Sequence, residues 1–393
     1  MDLSTASQVP PSSTSSAPNI KVQALELAQL PKFHRKFTSP GTSTHGELQV
    51  SYSIAGPDIG DDAPTILFCG GMFGMRWMAV TQNWFAEQNG VRMIFIDRPG
   101  FGDSTPVSIS RRISIFLETV IALLAELQIP HIAIAAQSAG TIYALNLIAH
   151  HPDLLSPSHP TLTLFSPWVH QSISGNLGFK AAAKLPDISL DYWNTLVGGI
   201  ITKGGPALNH SSGILTSATK MFTGGGNGSP VSSEGLVRAA QEKRCRERYG
   251  ISLDLKAELV STSNALCWGE STVGGNDEAR ICLKSCPGTG WDRCEVYPTF
   301  VQDLKLEWGD RAARSGHKLK IRIAFGEGED SMVGWKGMRY FEDCFAKEKL
   351  GRGIEVEKVV QKGADHDSIV GPGFDEILRL FERVKEGWKK DRD

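Results

Sequence analysis

Residues 131–150 read HIAIAAQSAGTIYALNLIAH and join an apolar run to a helical pattern through one serine, Ser138. The run His131–Ala136 predicts a buried strand, and Thr141–His150 has the spacing of a helix. A strand that turns sharply into a helix lifts a serine oxygen above the sheet edge, and the turn needs small neighbours. The neighbours are small: Ala136, where glycine is usual, then Ala139 and Gly140. Ser138 is therefore a candidate nucleophile, the alternative being a loop serine that caps the following helix.

Strands and helices alternate on both sides of this junction. The predicted strands are His34–Phe37, Glu47–Ile54, Thr65–Cys69, Val91–Ile96, Thr161–Phe165, Lys318–Phe325 and Glu355–Val360. The further predicted helices are Arg76–Gln88, Ser110–Leu127, Gly334–Lys347 and Gly373–Trp388. Such alternation with short loops predicts an α/β fold with a mostly parallel, doubly wound sheet and helices on both faces.

The alternation is interrupted once, and this divides the chain into segments. Residues 1–32, rich in serine, threonine, proline and alanine up to Asn19, predict a disordered N-terminal tail. Residues 33–168 and 316–388 form the predicted core, and 389–393 a C-terminal tail. Residues 169–315 carry glycine-rich patches and helical pieces, which predict a cap or lid inserted into the core.

Composition excludes several classes of protein. The chain has 393 residues, a net charge of −2 and 41% hydrophobic residues, so it gives no electrostatic reason to expect nucleic acid or an anionic membrane as a partner. It carries no run of apolar residues long enough for a transmembrane segment and no recognisable signal peptide, which predicts a cytoplasmic protein. The cysteines Cys282, Cys286 and Cys294 lack the paired spacing of a zinc site, so we expect free thiols.

Two late loops offer partners for the serine, because each follows a predicted strand. Residues 326–333 read GEGEDSMV, and 363–367 read GADHD. A serine hydroxyl needs a base to take its proton, and the base needs a carboxylate to orient it. His366 is the candidate base and Asp330 the candidate acid, with Glu329 as the alternative acid. The carboxylates beside His366 either raise its pKa or face water.

The chain resembles the α/β-hydrolase superfamily over about residues 33–168 and 318–388. Residues 70–77, GGMFGMRW, look like the oxyanion loop of the family, with Gly70 in place of its common histidine. Residues 97–104, DRPGFGDS, match the turn after the next strand of the family. The serine turn, the acid loop and the histidine loop then follow in the order that the family uses.

The resemblance implies a serine hydrolase in which His366 activates Ser138 and Asp330 orients the imidazole. The backbone N–H groups of Met72 and Ala139 would then stabilise the oxyanion. The implied substrate is a small-molecule ester, thioester or related acyl compound that forms an acyl-enzyme, and no cofactor or metal is implied. An acyltransferase, a lyase on the same triad and a non-catalytic binding protein are the alternatives. A serine at this turn disfavours the aspartyl-ester route of haloalkane dehalogenases and epoxide hydrolases.

Other conspicuous residues are interpreted as structural. Asp97 and Arg98 invite a catalytic role, but we expect Asp97 and Ser104 to satisfy amides of the turn instead. The tryptophans Trp77, Trp168 and Trp291 either line a pocket or pack in the core.

Overall fold

An eight-stranded sheet lies at the centre of the computed structural model, which describes residues 19–203, 234–327, 332–371 and 374–392. The strands are β1 (Arg35–Ser39), β2 (Leu48–Ala55), β3 (Thr65–Cys69), β4 (Arg92–Ile96), β5 (Ala133–Gln137), β6 (Thr161–Phe165), β7 (Leu319–Gly326) and β8 (Ile354–Gln361). Their spatial order is β1-β2-β4-β3-β5-β6-β7-β8. Strands β1 and β2 pair antiparallel with their neighbours, and the strands from β4 to β8 pair in parallel.

Helices connect and flank these strands. The α-helices of the described residues are α1 (Ile20–Ala28), α2 (Met78–Asn89), α3 (Arg112–Glu126), α4 (Gly140–His150), α5 (Gln171–Ser174), α6 (Leu177–Ala182), α7 (Trp193–Lys203), α8 (Glu234–Tyr249), α9 (Leu253–Gly269), α10 (Gly274–Leu283), α11 (Tyr297–Ser315), α12 (Gly334–Cys344), α13 (Lys347–Leu350) and α14 (Glu376–Arg392). Short 3-10 helices cover Pro31–Phe33, Ile109–Arg111, Pro152–Leu154, Asp187–Tyr192, Asp292–Cys294 and Ser368–Val370.

The four central strands β4, β3, β5 and β6 are buried along their whole length. Parallel strands that helices cover on both faces need apolar side chains throughout. The resulting continuous apolar runs allow these strands to be predicted from the sequence. In register, Ala136 of β5 lies between Cys69 of β3 and Leu164 of β6. The predicted, mostly parallel α/β sheet is confirmed. Ser138 directly follows the end of β5 and therefore lies at the carboxyl edge of the sheet, near its middle.

The prediction of a disordered tail over residues 1–32 is wrong for its second half, where helix α1 forms. Asn19 begins the helix, because its side-chain oxygen accepts the Lys21 N–H at 3.0 Å. Ala24 and Ala28 are fully buried, and the helix packs along α9 of the inserted segment. Two buried alanines give too weak an apolar stripe to be read from the sequence. Residues 1–18 lie outside the described residues.

Two further boundaries differ from the prediction. Helix α14 runs to Arg392, so most of the predicted tail 389–393 is helical. Helix α11 packs against β8 and α13, and it therefore belongs with the core although it lies within the predicted cap 169–315. The sequence could not place this boundary, because a helix that covers the sheet and a helix of an insertion have the same amphipathic pattern.

Ion pairs hold the segment between β6 and α11, called the inserted segment, on the core. Arg76, which follows β3, donates to Glu270 at 2.7 Å and to Asp97 at 2.6 Å, and its side chain is 3% exposed. On helix α10, Glu278 lies 2.7 Å from Arg112 of the core helix α3. No helix in the described part of the chain combines the length and apolarity needed to cross a bilayer.

Candidate active site

Ser138 occupies a strained turn between β5 and α4. Its φ is +51°, a left-handed backbone conformation that residues other than glycine seldom adopt. Three hydrogen bonds hold the residue there: its N–H donates to Phe165 O at 3.0 Å, and its carbonyl accepts the N–H groups of Thr141 at 3.0 Å and Trp168 at 3.2 Å. Strain that the surroundings enforce in this way is typical of functional positions.

The small residues around Ser138 follow from close packing at this turn. A Cβ added to Gly140 would lie 2.0 Å from the carbonyl oxygen of Cys69, so α4 approaches the end of β3 too closely for any side chain. Ala136, by contrast, is an interior residue of strand β5. Its backbone stays in the strand, which explains why the alanine is accommodated where the family usually has glycine.

The turn after β3 lies directly against the serine. A Cβ added to Gly71 would lie 3.5 Å from Ser138 Cβ and 4.0 Å from its Oγ. The turn is tight: Gly74 N–H donates to Gly71 O at 2.8 Å, and Gly70 and Gly74 approach too closely to carry side chains. An acyl group bound at Ser138 Oγ would therefore meet backbone rather than side chain on this side.

Two backbone amides near the serine are available to a ligand. Among the described residues, neither the N–H of Met72 nor that of Ala139 has a hydrogen-bond partner, although both residues are nearly fully buried. The Ala139 amide stands at the start of α4, where amides lack intrahelical partners, and the Met72 amide belongs to the turn that packs against Ser138. Met72 and Ala139 are the residues that the sequence predicts as oxyanion donors.

The loop that carries His366 is tied to the serine turn. Gln137, the residue before Ser138, donates through Nε2 to the carbonyl oxygen of His366 at 3.3 Å and to Asp367 Oδ1 at 3.4 Å. The His366 side chain is buried, with 1% of the residue exposed. The loop after β8 therefore reaches the end of β5 although β6 and β7 lie between the two strands, because all four strands end at the same edge of the sheet.

The acid loop begins at this edge as well. A Cβ added to Gly326, the last residue of β7, would lie 2.4 Å from Ala364 O, which puts the strand end against the histidine loop. Glu327 accepts the Gly363 N–H at 3.3 Å and so has a structural role. The predicted acid Asp330 and its alternative Glu329 lie outside the described residues.

Asp365, one of the carboxylates beside His366, is a capping residue. Its Oδ1 accepts the N–H groups of Ser368 at 2.8 Å and Asp367 at 3.2 Å, at the start of a short 3-10 helix. This explains why an aspartate stands where the family often has glycine, since the side chain stabilises the local turn. The sequence left open a role in raising the pKa of His366, and the bonds of Asp365 favour the structural role.

Residues 97–104 brace the site. Asp97, interpreted as a turn residue, accepts the Arg76 N–H at 2.7 Å and the Ser51 hydroxyl at 2.6 Å, while Ser104 accepts the Ser51 N–H at 3.0 Å. The Asp97 carboxylate thus satisfies one amide and one hydroxyl outside its own turn, and not the amides of the turn as the sequence predicts. Arg98 does more than the sequence predicts, because its guanidinium donates to the carbonyl oxygens of residues 70–72, in the turn after β3. No local pattern identifies such a contact.

Large apolar side chains contact the turn after β3 at Met72 and Phe73. Met72 Sδ accepts the indole N–H of Trp193 at 3.3 Å, and the Phe73 and Trp268 rings lie 5.1 Å apart between centroids. The tryptophans left open by the sequence, Trp77, Trp168 and Trp291, are all buried in the core.

Burial also fixes the protonation of neighbouring groups. Burial raises the pKa of Cys69, with Arg98 opposing, to about 12, so this thiol at the end of β3 stays protonated and is a poor nucleophile. Burial and then the Glu278 carboxylate raise the pKa of Tyr143 well above its usual value. The Tyr143 hydroxyl therefore remains a donor. All seven cysteines carry free thiols, and no group of metal-ligating side chains clusters within the described ranges.

Comparison with solved structures agrees with this architecture. A putative lipase from Acinetobacter baumannii has a TM-score of 0.53 at 13% identity, with 95% of this chain and 99% of that chain covered. An alpha/beta hydrolase fold protein from Nakamurella multipartita has a TM-score of 0.50 at 16% identity, with 90% and 100% covered. An epoxide hydrolase from Vigna radiata has a TM-score of 0.46 at 18% identity, with 90% and 98% covered. No family model matches the chain, and no curated protein matches it by sequence.

The chain has the α/β-hydrolase fold, as the resemblance of its motifs implied. At this level of identity, the likeness concerns the fold alone, and the chemistry has to be argued from the site.

Proposed function

We propose that the protein is a serine hydrolase that cleaves a small ester or thioester through an acyl-enzyme on Ser138. The observation that carries this proposal is the strained turn at Ser138 with the unpaired amides of Met72 and Ala139 beside it. The strained turn and the unpaired buried amides both cost stability. The strain holds Ser138 in position, and the amides would donate to the substrate oxygen as it becomes negative.

The proposed reaction has two halves. Ser138 Oγ forms a bond to the acyl carbon while its proton passes to His366, and the two amides bind the carbonyl oxygen as it becomes negative. The tetrahedral species then expels the alcohol or thiol, which takes the proton from His366. A water molecule repeats the sequence, releases the acid and restores the serine. Asp330, as the proposed acid, orients the imidazole throughout.

A fluorophosphonate probe tests the nucleophile directly. We expect the wild-type protein to be labelled at Ser138 and Ser138→Ala to remain unlabelled. Ser166→Ala is the matched control, since Ser166 also follows a parallel strand with a positive φ of 42° and is fully buried. That variant should label as the wild type does. A folded protein that the probe does not label would instead be a non-catalytic binding protein.

Turnover of p-nitrophenyl esters and acyl thioesters of graded chain length tests the remaining roles. We expect His366→Ala to lower kcat about 1000-fold with a nearly unchanged melting temperature, because general-base catalysis and not folding depends on the imidazole. Asp330→Asn should be strongly impaired and Glu329→Gln should not, and the reverse result would assign the acid to Glu329. Labelling of Ser138 without hydrolysis of any ester or thioester would favour an acyltransferase or a lyase.

A further inference from the structure

Three consecutive carbonyl oxygens of the oxyanion turn point at one guanidinium group. Arg98 donates through Nη1 to Gly70 O at 2.8 Å, and through Nη2 to Gly71 O at 2.5 Å and Met72 O at 3.1 Å. In a trans peptide, the C=O and N–H groups point in opposite directions. The peptide that joins Gly71 to Met72 therefore has its carbonyl towards Arg98 and its N–H away from it. Arg98 thus fixes the direction of the Met72 amide.

The guanidinium is itself held by a carboxylate of the inserted segment. Glu278 on helix α10 is 1% exposed, and its Oε1 lies 3.2 Å from Arg98 Nε. This contact is an ion pair, since Arg98 Nε forms no hydrogen bond to a described residue. The same oxygen accepts Arg112 Nε at 2.7 Å and the Tyr143 hydroxyl at 2.6 Å. The Tyr143 ring also lies under the Arg98 guanidinium, 4.8 Å away.

The charges of this cluster explain why Glu278 matters. Arg98 and Arg112 are both almost completely buried, and Glu278 is the carboxylate that contacts both among the described residues. Without its charge, Arg98 would have no carboxylate partner among the described residues, and Arg112 would keep the longer pair with Asp277 at 3.6 Å. The side chain of Arg98 would then shift or draw in water, and the three carbonyls would lose their common donor.

We propose that Glu278 is a positioning residue, which holds Arg98 against the turn 70–72 and thereby holds the Met72 amide towards Ser138. The inference rests on the proposed hydrolase function, because the Met72 amide is an oxyanion donor only if acyl transfer occurs. It makes the docked helix α10 a requirement for a competent oxyanion site.

The test compares Glu278→Gln and Arg98→Lys with a matched control on the same helix. Glutamine keeps the volume of Glu278 and an acceptor for Tyr143 but removes the charge. Lysine keeps the charge of Arg98 but lacks the planar set of donors that contacts three carbonyls at once. The control Asp277→Asn removes a neighbouring carboxylate whose ion pairs go to Arg112 and Arg280. Each protein is titrated with the fluorophosphonate probe, so that kcat refers to reactive sites only.

For both positioning variants, we expect kcat per titrated site to fall about 10- to 100-fold with KM within about threefold of the wild type. The control should stay within about twofold of the wild-type kcat. The double variant should be no worse than Arg98→Lys alone, because both changes act through one path. A purely structural role of Glu278 would lower the titrated fraction and the melting temperature without lowering kcat per site, and that result overturns the proposal.

Amide hydrogen exchange gives a readout that does not need turnover. We expect peptides that contain residues 70–75 to exchange faster in Glu278→Gln than in the wild type or Asp277→Asn. If Glu278→Gln does not fold, Glu278→Asp retains the charge at shorter reach and should show an intermediate effect. Unchanged exchange in a folded Glu278→Gln protein refutes the positioning role. If exchange is faster in Glu278→Gln but the probe does not label the wild-type protein, the proposed hydrolase function is refuted. The positioning of Arg98 by Glu278 would still stand.

Discussion

A buried lysine gives a sharp prediction about stability. Lys256 of helix α9 is 6% exposed, and its Nζ lies 3.3 Å from the centre of the Tyr249 ring and 3.3 Å from Thr81 O. Burial lowers the pKa of Lys256 from 10.5 to about 7, with Cys245 opposing the shift. The folded protein therefore binds this proton more weakly than the unfolded chain does.

The sign of the pH dependence follows from that difference. Between pH 7 and pH 10.5, the unfolded chain binds more protons at this position, so the free energy of unfolding of the wild type rises with pH in that window. From the two pKa values, the charge of Lys256 costs about 4 kcal/mol at pH 7 and about 2 kcal/mol at pH 9. Lys256→Met has no such charge. Its stability relative to the wild type should therefore fall by about 2 kcal/mol between pH 7 and pH 9.

Urea unfolding of both proteins at the two pH values measures this change. The lost contacts with Tyr249 and Thr81 lower the stability of Lys256→Met by a similar amount at each pH, so they cancel in the comparison. Lys243→Met is the matched control, because the Lys243 side chain is 76% exposed and its removal should leave the pH dependence unchanged. A difference between wild type and Lys256→Met that stays constant from pH 7 to pH 9 would refute the reasoning.

Two further predictions concern packing and ion pairing. Gly140→Ala should destabilise the protein by about 3 kcal/mol or more, because the new Cβ would lie 2.0 Å from Cys69 O. The control Gly199→Ala in α7 places its Cβ in free space and should leave the melting temperature unchanged or slightly higher. Arg322→Met should cost about 3–5 kcal/mol in denaturant unfolding, since it leaves the buried Glu376 without the Arg322 pair at 2.9 Å. Replacing Glu376 with leucine as well should recover part of that loss, and no recovery would mean that the buried charge is not the cause.

The sequence was most informative where burial is complete. Strands such as β3 and β6 are continuous apolar runs, and their predicted bounds Thr65–Cys69 and Thr161–Phe165 agree with the structure. Helix α1 was missed because only Ala24 and Ala28 of its residues are buried, so its apolar stripe is narrow. Long-range packing decides such an element, and a local pattern does not record it.

The position of the candidate residues at one sheet edge could be predicted for similar reasons. Ser138 follows β5 directly and His366 lies in the loop after β8, and short loops at one sheet edge are constrained enough for their order to be informative. The assignments of nucleophile, base and acid stay predictions until the variants above are measured. The contact of Glu278 with Arg98 joins residues far apart in the chain, and neither residue has a sequence context that indicates the other.

The two ion-paired glutamates of the insertion also restrict how a substrate could enter. Glu270 and Glu278 flank the corner between α9 and α10 and pin it to Arg76 and Arg98. Pulling that corner away would separate Arg98 from Glu278 and leave Arg76 with Asp97 alone, which is costly and insensitive to salt in the medium. An opening wide enough for an acyl compound would therefore have to form elsewhere in the insertion, with this corner as its stationary wall.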